Sequence, residues 1–227
     1  ESEYFVKVQF LLSRDMPWAK KGYVQMEEQL PVRAALKQAP AVASVAVSTQ
    51  PIVVEEDGAA FKVSGKDFTA KFDKATGSLS ALTYGSQTII EEGNGPKLDA
   101  FRAPTDNDAG AGYHGDWFRY GLYNLQHKAL SAKAVRQADG RLQISFTVES
   151  QGAEGCSQVY GDRDRTPEKA YRFDQGRHAL GEDDLKFTTN QVYTVYPDGS
   201  IELQSAISSN RANVLLPRLG YAMKLPS

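Results

Sequence analysis

Apolar and polar residues alternate along most of this chain, beginning with residues 5–12, FVKVQFLL. Phe5, Val6, Val8, Phe10 and Leu12 supply the apolar positions, while Lys7 and Gln9 point the other way, as in a half-buried strand. SRDMPWAKKG follows as a loop punctuated by Pro17 and Gly22. In YVQMEEQLPV, Tyr23, Gln25, Glu27 and Gln29 alternate against Val24, Met26, Glu28 and Leu30, which predicts a second strand. Two strands are not stable alone in water. The segment therefore reads as the closing hairpin of a sandwich whose other strands lie elsewhere.

Residues 34–51, AALKQAPAVASVAVSTQP, break the alternation and read as an extended linker. From Ile52 onward short alternating runs recur: IVVEEDGAAFKVSG, FTAKFDKATGSLSALTYGSQTII, LSAKAVRQADGRLQISFTVES and FTTNQVYTVYPDGSIELQSAIS. Turn signals fall inside them at Asp57-Gly58, Thr76-Gly77, Asp139-Gly140 and Pro197-Asp198-Gly199. No long stretch of helical period intervenes, so the pattern predicts an all-β, antiparallel sandwich rather than βαβ units. A short helix is expected over 115–122, GDWFRYGL. Residues 151–187 are glycine-rich and mixed in charge, and read as an insertion with a mobile tip.

Composition narrows the function classes. The 227 residues are 41% apolar and 24% charged, the balance of an ordinary soluble protein. A net charge of −2 gives no reason to expect nucleic acid or an anionic membrane as partner. The longest apolar stretch, 39–47, is too short to span a bilayer. A soluble protein of the cytoplasm or periplasm is expected, and the sequence does not choose between them. One cysteine, Cys156, excludes an internal disulfide and reads as a structural thiol.

The chemistry concentrates in 101–121, FRAPTDNDAGAGYHGDWFRYG. An EF-hand is excluded, because Gly110 and Trp117 occupy positions that need oxygen ligands, and a looser calcium or sodium site stays open as an alternative. Zinc would require His or Cys clustering, and the three histidines, His114, His127 and His178, are far apart. Asp106 and Asp108 could face a glycosidic bond only if they shared one side of an extended segment at glycosidase spacing. The competing reading is that these acids bond backbone N–H groups in Asx turns. The aromatic run Trp117, Phe118, Tyr120 and Tyr123 could stack on sugars but fits core filling better. No G-x-S-x-G elbow or phosphate-binding glycine motif is present.

FRAPTDNDAG, 101–110, resembles the R-A-P-x-D-N-D-x-G segment near the start of the C-terminal domain of large β-galactosidases, glycoside hydrolase family 2. TAKFDKATGSLSALTYGSQTII resembles the opening hairpin of that domain, DWFRYGLYNL the aromatic turn after the loop, and YTVYPDGSIELQSAI and LPRLGYAMKLP its later strands. EYFVKVQFLLSRDMPWAKKGYVQMEEQLPV is similar to the end of the immunoglobulin-like domain before it.

The resemblance implies residues 1–35 as the closing strands of an immunoglobulin-like domain and 36–51 as linker. Residues 52–227 would then form the first part of a galactose-mutarotase-like supersandwich, carrying the 151–187 insertion. It implies a retaining glycosidase parent whose two catalytic glutamates lie in a separate barrel. This chain then holds no catalytic residue and no metal site. Arg102, Asp106, Asn107, Asp108, Gly110 and His114 are expected on the rim of the cleft. No cofactor is expected in this chain, and Mg or Na ions are left to the parent. The implied partners are β-galactosides and the remaining parent domains, with a homo-oligomer open. A free-standing carbohydrate-binding sandwich and an aldose mutarotase using His114 with Asp106 or Asp108 remain as alternatives.

Overall fold

The computed structural model describes residues 4–32, 51–156 and 176–226. The expected linker therefore falls almost wholly outside the described residues, as does the tip of the expected insertion. The chain divides into two compact units, Glu1–Ala46 and Val47–Ser227.

Among its described residues, the first unit forms an antiparallel hairpin of β1 (Phe5–Leu11) and β2 (Val24–Pro31). Opposed residues share a face in such a pair. The register Val6↔Leu30, Val8↔Glu28 and Phe10↔Met26 collects the apolar side chains on one face. Lys7, Gln9 and Glu27 occupy the other, where the Lys7 ammonium lies 2.6 Å from the Glu27 carboxylate. Within this unit the apolar face is uncovered: Val6, Phe10, Met26 and Leu30 are all exposed.

The second unit holds the core. A five-stranded meander runs in chain order through β3 (Val53–Glu56), β4 (Ala60–Ser64), β5 (Phe68–Asp73), β6 (Ser78–Tyr84) and β7 (Gln87–Ile90). After it come β8 (Lys97–Asp99), α1 (Asp106–Ala111), α2 (His114–Arg119) and a single 3₁₀ turn over Leu122–Asn124. Next are β9 (Leu125–Arg136), β10 (Leu142–Gly152), β11 (Gly155–Cys156), β12 (Arg177–His178), β13 (Lys186–Val195), β14 (Ile201–Ser209) and β15 (Gly220–Ala222). A second sheet has the order β14-β13-β10-β9, and β15 pairs with β8. Every strand pairing among the described residues is antiparallel, as the alternating pattern predicts.

Alternation decides the packing. Leu142, Ile144, Phe146 and Val148 of β10 point inward, with the residues between them half-exposed. They meet Phe61, Val63, Phe68, Ala70 and Phe72 from the meander, and Tyr193 and Val195 join from β13. Each such fully buried side chain contributes about 1.5–3 kcal/mol relative to exposure. A second cluster, Leu98, Ala100, Trp117, Tyr120, Leu122, Leu185 and Phe187, lies under the helices.

The aspartates at the turns explain why the hairpins close where they do. Asp57 Oδ1 accepts from the Ala59 and Ala60 amides, and Asp73 Oδ1 from the Ala75 and Thr76 amides. Asp139 and Asp198 accept from the amides two residues on. Those bonds stabilise the charged form, and Asp57 is pulled down to about 2 chiefly by its two backbone donors.

The 151–187 segment needs two corrections. Gln151 and Gly152 complete β10, while Lys186 and Phe187 open β13, so neither end belongs to an insertion. The β11–β12 ladder, Gly155↔His178 and Cys156↔Arg177, closes the neck.

Candidate functional site

Residues 106–111 form a helix, α1, where an extended arrangement of Asp106 and Asp108 was one expectation. Thr105 precedes the first residue of α1, and Asp108 stands three residues later, which is the spacing of a capping box. The Asp108 carboxylate turns back to accept from the Thr105 amide at 2.7 Å and from its hydroxyl at 2.9 Å. The two aspartates thus do not form an opposed pair. Asp108 faces inward and Asp106 stays exposed in the first helical turn.

Arg102 completes the lock. Its Nη1 reaches Asp108 Oδ2 at 2.6 Å and its Nη2 reaches Oδ1 at 3.0 Å, a two-pronged pair. Nη1 also donates to the Ala103 carbonyl at 3.1 Å, and the guanidinium lies 5.2 Å from the Trp117 ring centroid. The Arg102 guanidinium, followed by the Thr105 amide, holds the Asp108 carboxyl far below the usual carboxylate range. The same bond raises Arg102. Near neutral pH Asp108 is a fixed anion with its oxygens occupied, unsuited to giving or taking a proton in catalysis.

His114 is buried at 3% exposure, with Nδ1 facing the Asp108 main-chain carbonyl at 3.1 Å. That carbonyl also accepts from the Tyr113 amide, so the imidazole serves the junction of α1 and α2. A mutarotase base would need an imidazole open to the sugar, and a buried ring at a helix junction does not offer one. Among the six residues expected on a cleft rim, Arg102, Asp108 and His114 are joined in one network. Asp106, Asn107 and Gly110 lie on the exposed side of α1. Gly112, between the helices, has φ +75, a conformation that favours glycine.

The aromatic run anchors this platform from below. Trp117 is buried and its indole N–H donates to the Leu215 carbonyl at 2.7 Å, tying α2 to a segment distant in sequence. Phe101 meets Phe118 edge-on at 5.6 Å and Tyr123 at 6.0 Å. Beside them opens an apolar hollow of about 360 Å³ walled by Phe101, Pro104, Phe118 and Tyr123. At the C-terminal end of α2 the chain crosses β10 so closely that a Cβ on Gly152 would stand 2.5 Å from the Tyr120 carbonyl oxygen.

Sequence reasoning missed two contributors. Thr105 was legible, since T-x-x-D before a helix is a capping signal. The ion pair of Asp99 with Arg218 was not, because its members are 119 residues apart. Asp99 also accepts from the Phe101 amide at 3.0 Å, setting the entry to the loop.

Among the described residues no three His, Cys, Asp or Glu side chains gather as a metal site would require. With Asp108 committed to Arg102 and Thr105, the loop does not fit the Mg or Na ions that the resemblance leaves to the parent.

Comparison with known proteins supplies the frame. The family described as Beta galactosidase small chain matches residues 64–227. A β-galactosidase of Halalkalibacterium halodurans is 28% identical over 99% of this chain and 19% of its own length. One from Psychromonas ingrahamii is 26% identical over 99% of this chain and 20% of its own. A Streptococcus thermophilus β-galactosidase is 32% identical over 49% of this chain and 10% of its own. The chain thus spans about one fifth of the length of the first two relatives. With a family match running across most of the sequence, this chain belongs to the β-galactosidase small-chain family.

Proposed function

We propose that this chain is a non-catalytic part of a larger retaining β-galactosidase of glycoside hydrolase family 2, which hydrolyses terminal β-galactosides. The observation that carries this is coverage: similarity extends over 99% of the chain yet over one fifth of the relatives. The α1–α2 platform then lines the rim of a cleft whose two catalytic glutamates belong to a barrel domain elsewhere in the parent. Arg102 and Asp108 hold the platform's shape, while Asp106, Asn107 and Gly110 are the residues turned toward substrate. The locked, ionised state of Asp108 supports a structural role over a chemical one.

On this reading the second unit is the opening part of a galactose-mutarotase-like supersandwich. The β1–β2 hairpin closes an immunoglobulin-like sandwich, whose remaining strands would cover the apolar face of Val6, Phe10, Met26 and Leu30. Mg or Na ions, if the parent uses them, are held by its other domains.

The test compares the parent enzyme with the 227-residue chain alone on a chromogenic β-galactoside. The parent is expected to turn over, the isolated chain to be inert, and Asp106→Ala in the parent to lower kcat/KM without changing the fold. Hydrolysis by the isolated chain at enzyme-like rates, dependent on Asp106 or Asp108, would refute the proposal.

A further inference from the structure

Two lysines of the second unit line one cleft, and neither is balanced by an acid. The cleft, of about 540 Å³, opens between β8, the 3₁₀ turn, the start of β9 and the residues that follow β15. Lys97, Lys224 and His127 stand on its walls.

Main-chain bonds fix these groups around the opening. Lys97 opposes Ala222 across the β8–β15 ladder. Two residues further on, the Lys224 amide donates to the Asn94 carbonyl at 2.9 Å. Lys97 Nζ donates to the Gly93 carbonyl, also at 2.9 Å, which brings both lysines beside residues 93–95. An ammonium carries three donors, and that bond occupies one of them. His127 is held by its Nδ1, which faces Ser150 Oγ at 2.9 Å.

The charge on the walls is one-sided. Asp99 is the one carboxylate lining the cleft. Its Oδ1 accepts from the Phe101 amide at 3.0 Å, and its Oδ2 pairs with Arg218. Among the described residues neither Lys97 nor Lys224 forms an ion pair with a carboxylate. The Asp99–Arg218 pair is neutral as a whole, so both lysine charges are left uncompensated. Burial and then the Lys97 charge lower the His127 pKa, so the positive potential of Lys97 reaches the imidazole. Like charges gathered in a concave site attract counter-ions into it.

The rest of the wall selects among anions. Asn94, Asn124 and Gln126 add carboxamides. Asn124 Oδ1 accepts from the Ala153 amide at 3.1 Å, which leaves its NH₂ end to donate. Carboxamides bond hydroxyl groups as readily as charged oxygens. A volume of about 540 Å³ lies within the range of small-molecule pockets, roughly 300–1,000 Å³. It has room for the body of a ligand besides its charged head. A metal ion would be repelled by the two ammonium groups. A polyanion such as nucleic acid would favour a basic chain, and the net charge here is −2.

We propose that this cleft binds a small hydroxylated organic anion, its phosphate or carboxylate held by Lys97 and Lys224 and its hydroxyls by Asn94, Asn124 and Gln126. The proposal does not rest on the glycosidase reading.

Amide chemical shifts of the full chain, followed by NMR while glucose 6-phosphate, glucuronate, inorganic phosphate or glucose is added, test the site. Saturable shifts confined to residues 93–98, 122–127 and 222–224 are expected with the sugar anions, weaker binding with inorganic phosphate, and none with glucose. The tighter of the two sugar anions identifies the head group. Lys97→Met and Lys224→Met should each weaken binding about tenfold, the loss of one charge-assisted bond. Lys133→Met, at an exposed position on β9, should leave it unchanged. Shifts scattered over the surface, shifts that never saturate, phosphate or glucose binding as tightly as the sugar anions, or equal weakening by Lys133→Met would overturn the proposal. The shifts of the unsubstituted chain decide the matter even where a variant fails to fold.

Discussion

Asp108 shows how one carboxylate can be taken out of chemistry and put into architecture. It accepts from a guanidinium, an amide and a hydroxyl at once, so its charge is needed for every one of those bonds. Asp108→Asn keeps the volume but presents an NH₂ to donors. The variant is expected to speed amide exchange across residues 105–116 roughly tenfold or more, since a charge-assisted network is lost. Unchanged protection would mean that the loop is held by something else. The sign of the pH effect follows from the lowered value. The pair contributes stability above the ordinary aspartate value of 3.8 and loses it only as pH falls through the much lower folded value. Between neutrality and mild acid the loop should keep one conformation.

At the scale of elements, α1 is short, and Gly110 inside it and Gly112 just beyond its end pull in opposite directions. Gly110 lies inside the helix, and an added Cβ there would meet no atom within 4 Å. Gly110→Ala should therefore stabilise the unit by about 0.5–1 kcal/mol, the helical advantage of alanine. Gly112 holds φ +75, and Ala there should cost roughly 1–2 kcal/mol. Differential scanning calorimetry on the two variants should give Tm shifts of opposite sign, and shifts of the same sign would refute this account. If the platform must move during turnover, Gly110→Ala in the parent would also lower kcat while raising Tm.

At the scale of the whole molecule, stability should carry a histidine signature. His127 on β9 faces the Ser150 hydroxyl at 2.9 Å and lines a cleft of about 540 Å³ with Lys97 and Lys224. Burial, then the nearby Lys97 charge, lowers it from its ordinary 6.5. A depressed histidine is neutral when folded and protonates more readily when unfolded. Its contribution is thus complete above pH 6.5 and drains away as pH falls from there through the folded value. Chemical denaturation across pH 5 to 8 should show that slope, and His127→Asn should flatten it. An unchanged slope in the variant would remove His127 as its source.

The strands and most turns were written locally. Alternation at Leu142, Ile144, Phe146 and Val148, or at Phe68, Ala70 and Phe72, reports a strand with one covered face wherever the partner sits. Asp57, Asp139 and Asp198 cap their own turns with amides two residues away. The family was legible for the same reason, through short contiguous runs such as FRAPTDNDAG. The sequence also marked 101–121 as the unusual stretch, although it left open whether Asp106 and Asp108 formed a reactive pair.

Only the tertiary structure separated those two aspartates, because their difference lies in what surrounds them. Helical geometry turned Asp108 onto Arg102 and left Asp106 in solvent. The bonds from Trp117 to Leu215 and from Asp99 to Arg218 join residues 98 and 119 positions apart. Side-chain periodicity reports which way a residue points from its own backbone. It carries no information about which distant residue will meet it, and that meeting decides whether a carboxylate is a fixed anchor or an exposed surface group.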